Sequence, residues 1–400
     1  MMENGFTLDR IYDRRNTNSL KWDFFSERGH SGEELPLWVA DMDFRSPEPV
    51  IKALKETAEK GFFGYTLAKY EDKKIVSDYL LRRHGFGPDP GDILFLPGVC
   101  FALTMAILAL SKEGDGVLIQ QPVYYPFANI VRDVKRKLVA DPLVRDEKGR
   151  YRMDTDSFEK KIIEENVKLY ILCSPHNPVG RVWTKEELTA IGKICLSHGV
   201  TVLADEIHAD FVYEDNVFTP FASLSEEFEK NSVTFTSPSK TFNMAGLQIA
   251  EAIVHDERMR MAILRNANVC GYSELPVMGL NAMKAAYTQC DAWADAVVSY
   301  IHENILHMEV FLKKELPMLD MVHPEGTYLP WVDFGALGLS RAQLEDLIRN
   351  KAKLWLDAGH IFGRGGEGFQ RYNVACPRKT LDIALERTLQ AVGSLSIKTT

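Results

Sequence analysis

The 400-residue sequence predicts an α/β fold, with a mostly parallel sheet between helices forming a large part and a smaller α+β part beside it. Three observations carry this. From about residue 50 to about residue 290, apolar runs of strand length alternate with helical stretches, the pattern of right-handed βαβ units. Beyond a long helical stretch around 290 to 315 the pattern changes, with strand-like runs at Tyr328–Phe334 and Lys353–Leu356. The chain is also long enough, at 46% hydrophobic residues, to bury a large core in two or three domains or in one large unit with a smaller partner.

The elements follow in order. Ser46 and Pro47 open a helix as N-cap and first-turn proline; Val50, Ile51, Leu54 and Ala58 form its apolar face, and Gly61 ends it. Ile93–Leu96 is a strand, and Pro97-Gly98-Val99-Cys100 leads into the apolar stretch Val99–Leu110. That stretch is short of the roughly 20 residues of a membrane span and reads as a buried helix. Further strands are predicted at Val117–Ile119, Lys168–Cys173, Thr201–Ala204, Val233–Thr236 and Ala250–Val254. Thr184-x-x-Glu187 is a capping box opening a helix that faces Leu188, Ile191, Ile194 and Cys195 inward and stops at Gly199. Ser340-x-x-Gln343 opens another. The expected division is a large domain over 50–290 and a small one built from 1–49 and 291–400.

Several function classes are disfavoured. With 47 basic and 56 acidic residues the net charge is −9, which argues against nucleic acid and anionic membranes as partners. The start, Met1 to Gly5, has neither the basic nor the apolar region of a signal peptide. The six cysteines are widely spaced with no Cys-x-x-Cys pair, so a reducing cytoplasm is expected rather than a disulfide framework. The histidines show no metal-binding spacing, and no metal is expected. Gly363 to Gly368 matches G-x-G-x-x-G, but the strand-like Tyr372–Ala375 follows it instead of a helix. A dinucleotide site needs strand, turn and helix, so this is a glycine loop near the small-domain substrate wall.

Ligands of open α/β sheets bind beyond the carboxyl ends of the strands. There the sequence places Gly98, Val99 and Cys100, then Tyr124, Asn177, Asp205 with His208, and Ser237, Ser239 and Lys240. Lys240 can form a Schiff base, although Ser-x-Ser-Lys would also suit a surface lysine beside capping serines. Asp205 can pair with a protonated pyridine nitrogen, or simply cap a helix. Asn177 can donate to a phenolic oxygen, or start a turn with Pro178. Tyr124 can stack on an aromatic ring, or sit in the core. Backbone N–H groups of Gly98, Val99 and Cys100 at a helix N-terminus, with the hydroxyls of Ser237 and Ser239, can hold a phosphate; a tight βα turn would look the same. Arg371 can fork onto a carboxylate, or make a structural ion pair. Taken together, the set suits pyridoxal 5′-phosphate (PLP) and an amino-acid substrate.

The motifs Ser174-Pro-His-Asn-Pro-Val-Gly180, Asp205-Glu-Ile-His208, Ser237-Pro-Ser-Lys-Thr-Phe-Asn243 with Ala245-Gly-Leu247, and Arg371-Tyr-Asn373 resemble the fold type I PLP-dependent enzymes of the class I/II aminotransferase superfamily. Order and spacing agree over nearly the whole chain. Leu37-Trp-Val-Ala-Asp-Met-Asp-Phe44, Gly64-Tyr-Thr66, Pro122-Val-Tyr-Tyr-Pro-Phe127 and His208 resemble its MalY/PatB branch of cystathionine β-lyase-like C–S lyases.

The resemblance implies that Lys240 is Schiff-base lysine and proton shuttle, Asp205 the partner of the ring nitrogen, Asn177 that of the phenolic oxygen, and Tyr124 the stacking ring. Arg371 would hold the substrate carboxylate with Asn177 and backbone near Ala40. Tyr65 would reach the cofactor phosphate of a second subunit, in a homodimer with shared sites. The implied reaction is β-elimination on L-cystathionine or a related cysteine S-conjugate, releasing thiol, pyruvate and ammonia. Two positions depart from the common aminotransferase pattern: His208 replaces a tyrosine that donates to the phenolic oxygen, and Gln248 replaces a phosphate-binding arginine. An aminotransferase and a PLP-binding regulatory protein are the alternatives. Tyr328 is expected to line the side-chain pocket.

Overall fold

The computed structural model describes residues 6–396; Met1 to Gly5, read above for signal-peptide features, lie outside the described residues. Seven strands form the central sheet: β1 (Ile93–Leu96), β2 (Gly116–Gln121), β3 (Lys137–Pro142), β4 (Val167–Cys173), β5 (Thr201–Asp205), β6 (Ser232–Thr236) and β7 (Ala250–Ile253). Their spatial order is β1-β7-β6-β5-β4-β2-β3. Neighbours from β3 across to β6 run parallel, and β7 lies antiparallel between β6 and β1. β2 and β6 are buried along their whole length, which is why the central strands appear in the sequence as continuous apolar runs.

β3 has no such run. It is an edge strand, Lys-Leu-Val-Ala-Asp-Pro, exposed at both ends, and it is absent from the strands predicted above. The apolar helix Val99–Leu110 buries Ala102, Leu103, Met105, Ala106 and Ile107 and packs against the helix Glu257–Val269. Burial on two sides explains its nearly unbroken hydrophobicity.

Helix ends follow local chemistry, with one displacement. Thr184 and Glu187 form their capping box at the head of Lys185–Ser197, as Ser340 and Gln343 do before Arg341–Asp346. The first long helix is Glu48–Lys60 and its N-cap is Pro47, not Ser46. The Ser46 hydroxyl instead donates to the Asn243 carbonyl at 3.0 Å. Thr57, not Ala58, completes its inner face. The Thr57 hydroxyl can turn inward because it donates to Ala53 O and accepts from Asn281 Nδ2.

A second sheet, β8 (Asp320–Val322), β9 (Trp331–Asp333), β10 (Asp357–Ala358) and β11 (Phe369–Arg371), is antiparallel in the order β8-β9-β11-β10. Two expected strands shrink. Tyr328–Phe334 keeps only β9. Lys353–Leu356 keeps Leu354–Trp355, which pairs with Leu35–Pro36. Strand pairing reaches Arg371 but not Tyr372–Ala375, whose backbone binds piecemeal to Pro330, Leu37 and Tyr328. The element directly after the glycine loop 363–368 is the strand β11, not a helix. Gly363 has φ +95°, and a Cβ there would run into the Gln121 side chain, so the loop packs tightly on the end of β2.

The long helix Asp291–Glu315 buries Trp293, Val297, Ile301, Ile305, Met308 and Leu312 at helical spacing. Its buried Asn304 donates to the carbonyls of Val374 and Cys376, tying it to the chain beyond β11. Among the described residues no helix is long and apolar enough to cross a membrane.

Candidate active site

The carboxyl ends of β1, β2, β4, β5 and β6 open on one cavity of about 200 Å³. Gly98, Val99 and Cys100 line it where the helix Val99–Leu110 begins, so that helix points free N–H groups at the cavity. Tyr124 and Asn177 enter from neighbouring turns joined by a hydrogen bond from Tyr124 N to Asn177 O. Asp205 and His208 come from the end of β5. Ser237, Ser239 and Lys240 come from the turn after β6, and Ala40 closes the wall from the N-terminal segment.

Lys240 sits in the single turn Pro238–Thr241, which Ser237 caps by accepting the Ser239 N–H. Ser237 Oγ also lies 2.7 Å from Ile249 O. The next residue, Thr241, donates to buried Asp210, which also accepts from Tyr79 and pairs with Arg83. The lysine turn is thereby held from behind. Lys240 Nζ donates to Ala40 O at 2.7 Å. Burial lowers the pKa of this amine, against the charge of nearby Asp41.

Asp205 is deeply buried, and its carboxylate accepts from Ile207 N; among the described residues it has no ion-pair partner. Burial pushes its pKa up to about 6, opposed by the Ile207 N–H and the charge on Lys240. Burial and the positive charges of Lys240 and Arg371 push the His208 pKa well below its ordinary value, and among the described residues its Nδ1 has no partner. A carboxylate lacking a cation and an imidazole lacking a partner, both on one cavity with a half-buried lysine, fit the ring of PLP. The helix N-terminus fits its phosphate.

Arg371 does not line the cavity; it stands directly behind Asn177. Its Nη1 donates to Asn177 Oδ1 at 3.0 Å, which leaves the Asn177 amide nitrogen to face the site. Its Nη2 donates to Trp38 O and is paired with Asp357. Nothing in the sequence marked Asp357. Tyr328 is also corrected: it is fully buried, does not line the cavity, and donates to Ala40 O. Gln248 is exposed and does not line the cavity, and an amide there supplies no cation. Tyr65 is 95% exposed and does not line the cavity of its own chain.

The motifs held two further contributors that sequence reasoning missed. The Asn243 side chain accepts from Met42 N and donates to Met42 O and Phe44 O. Asn373 donates to Val39 O and Asp41 O. Both therefore fix the backbone around Ala40. Asp41 and Asp43 are gripped from the other side by Arg14 and buried Lys21.

A lysine at the carboxyl edge of such a sheet, facing a buried carboxylate, marks a large class of enzymes, and this chain belongs to one of its families. It matches the family model for aminotransferase class I and II over residues 34–387, and its architecture is fold type I. Among similar proteins, cystathionine beta-lyase PatB of Bacillus subtilis is 42% identical, covering 96% of this chain and 100% of its own. Protein MalY of Escherichia coli is 29% identical, with 98% and 100% covered. Cystalysin from Treponema denticola, solved with a PLP cofactor, superposes with a TM-score of 0.94 at 34% identity over 98% of this chain and 99% of its own. The PLP-bound C-S lyase from Staphylococcus hominis gives 0.90 at 30% identity over 97% and 99%.

Proposed function

We propose that this chain is a PLP-dependent C–S β-lyase that cleaves L-cystathionine or related cysteine S-conjugates into thiol, pyruvate and ammonia. The observation that carries the reading is the set on one cavity: half-buried Lys240, Asp205 with no ion-pair partner among the described residues, and Asn177 backed by Arg371. Full-length similarity to a protein named cystathionine beta-lyase narrows the reaction.

PLP supplies an electron sink for the pair left at a substrate Cα after deprotonation. Asp205 would hold a positive ring nitrogen, and Tyr124 would stack on the ring. The Asn177 amide would donate to the phenolic oxygen, with His208 beside it. Gly98, Val99 and Cys100 would hold the phosphate through backbone N–H groups, with Ser237 and Ser239 adding hydroxyls. Arg371, with Asn177 and the backbone at Ala40, orients the substrate carboxylate. Lys240 Nζ, its pKa lowered by burial, removes the Cα proton. The Cβ–S bond then breaks, the sulfur leaves as thiol, and water completes the conversion to pyruvate and ammonia.

We also infer a two-domain division at 50–290 against 1–49 with 291–400, supported by the two separate sheets. A cytoplasmic setting is supported by six free cysteines. A homodimer with shared sites is supported by the exposed run Phe62, Phe63, Tyr65, Leu67 and Tyr70, an apolar patch of the kind that marks interfaces. In that dimer Tyr65 serves the partner's phosphate site.

The test is to mix PLP-loaded protein with L-cystathionine and no keto acid, and to assay thiol and pyruvate together. Equal release of both is expected. If neither appears and the cofactor converts to its amine form, the protein is an aminotransferase instead.

A further inference from the structure

Arg371 and Asp357 face each other directly across the β10–β11 ladder. The guanidinium is buried, and its attachments are already heavily used. Nη2 serves Asp357 and Trp38 O, Nη1 serves Asn177 Oδ1, and the Phe362 ring lies 4.9 Å from Cζ. Nε has no partner. Of the five N–H groups of an arginine, one on Nη1 and the one on Nε are left for a substrate. The charge of the clamp is likewise matched before substrate arrives, because Asp357 balances Arg371.

A substrate α-carboxylate therefore brings a second negative charge to a site in which Arg371 is the buried guanidinium and Arg28 stands exposed at the edge. Two carboxylates that share one site do not both stay ionised; one of them takes a proton. Asp357 is the suited acceptor. Burial already raises its pKa, against the charges of Arg371 and Arg28. The groups facing it are Arg371 from β11, Arg28 from the turn Ser26–Arg28, and Tyr125 at the head of the helix Pro126–Asp133. The arginines remain cationic, and the Tyr125 phenol is pushed up by burial, so neither type takes up a proton near neutral pH. A protonated Asp357 still accepts the Nη2–H through its carbonyl oxygen, so Arg371 keeps its orientation.

We propose that Asp357 is the exchangeable counter-ion of the carboxylate clamp, taking one proton from solvent each time Arg371 receives a substrate carboxylate. This rests on the reading of Arg371 as that clamp. The consequence is a substrate affinity that weakens as pH rises, set by a residue with no place in the chemical step.

The probe is 3-(methylthio)propionate, which carries the carboxylate and the thioether arm but no amine to react with the cofactor. Its binding to the PLP-loaded enzyme is measured by calorimetry from pH 5 to 9, in pairs of buffers with different ionisation enthalpies. The expected result is uptake approaching one proton per ligand, with Kd rising about tenfold per pH unit where uptake is complete. Asp357→Asn should bind with no proton uptake and a flat Kd. Wild-type binding without uptake anywhere in the range overturns the proposal, and this result needs no variant. Equal uptake in wild type and D357N overturns it as well. Arg371→Gln separates the two levels: lost binding upholds the clamp, whereas unchanged affinity removes the clamp reading and the proposal with it.

Discussion

Asp205→Asn should change stability and activity in opposite senses, and the pH dependence isolates the cause. In the protein freed of cofactor, the buried Asp205 has a pKa of about 6, against about 3.9 for an unfolded aspartate. A carboxylate whose pKa is raised on folding binds its proton more tightly in the folded state. Stability is then greatest below about pH 4, falls as the pH rises to about 6, and is flat above. The two-decade gap is worth about 3 kcal/mol. Asn cannot ionise, so any fixed cost of burying its amide is the same at every pH. The stability of D205N minus that of wild type should therefore climb by about 2 kcal/mol between pH 4 and pH 7, with roughly half of the climb complete at pH 5. Urea unfolding of both cofactor-free proteins across that range measures it. With PLP and substrate present the order reverses. Removing one partner of a buried charge pair costs about 3–5 kcal/mol, a loss of roughly 10²- to 10⁴-fold in turnover. A stability difference that does not vary with pH, or D205N turnover within threefold of wild type, overturns this account of Asp205.

Three further expectations follow from the same geometry. Lys240→Ala should abolish both thiol release and the visible absorbance of lysine-bound cofactor; full activity in that variant contradicts the assignment. Arg371→Lys gives up the planar fork shared by Asn177, Trp38 O and Asp357. The loss of a charged hydrogen bond, about 1.5–3 kcal/mol, predicts a KM raised about 10- to 100-fold, checked by steady-state kinetics. Thr184→Ala removes a capping-box hydroxyl far from the cavity and should lower unfolding free energy by about 1 kcal/mol while leaving kcat/KM unchanged.

Sequence reasoning located much of this site because strand ends in an open parallel sheet converge whatever the loop details. Tyr124, Asn177, Asp205 and Lys240 each follow an apolar run, so their meeting on one cavity is a property of topology. Asp357 lacked any such signal. It follows a two-residue strand and finds Arg371 only through antiparallel register, which a run that short does not reveal. Asn243 and Asn373 lay in plain view beside Lys240 and Arg371, yet their partners are carbonyls near residue 40. An asparagine that binds distant backbone has no pattern in its own neighbourhood. The edge strand β3 was missed for the opposite reason: solvent on its outer side removes the hydrophobic run that marks its neighbours.

The two asparagines also make the segment around Ala40 a mechanical coupler. Asn243 travels with the lysine turn, and Asn373 travels with the chain that leaves β11. Between their anchor points lies the single carbonyl that Lys240 and Tyr328 both grasp. Ala40 O, which accepts from Lys240 Nζ at 2.7 Å, is thus placed by side chains from both the lysine turn and the chain beyond β11, so the resting position of that amine is fixed from two parts of the chain at once.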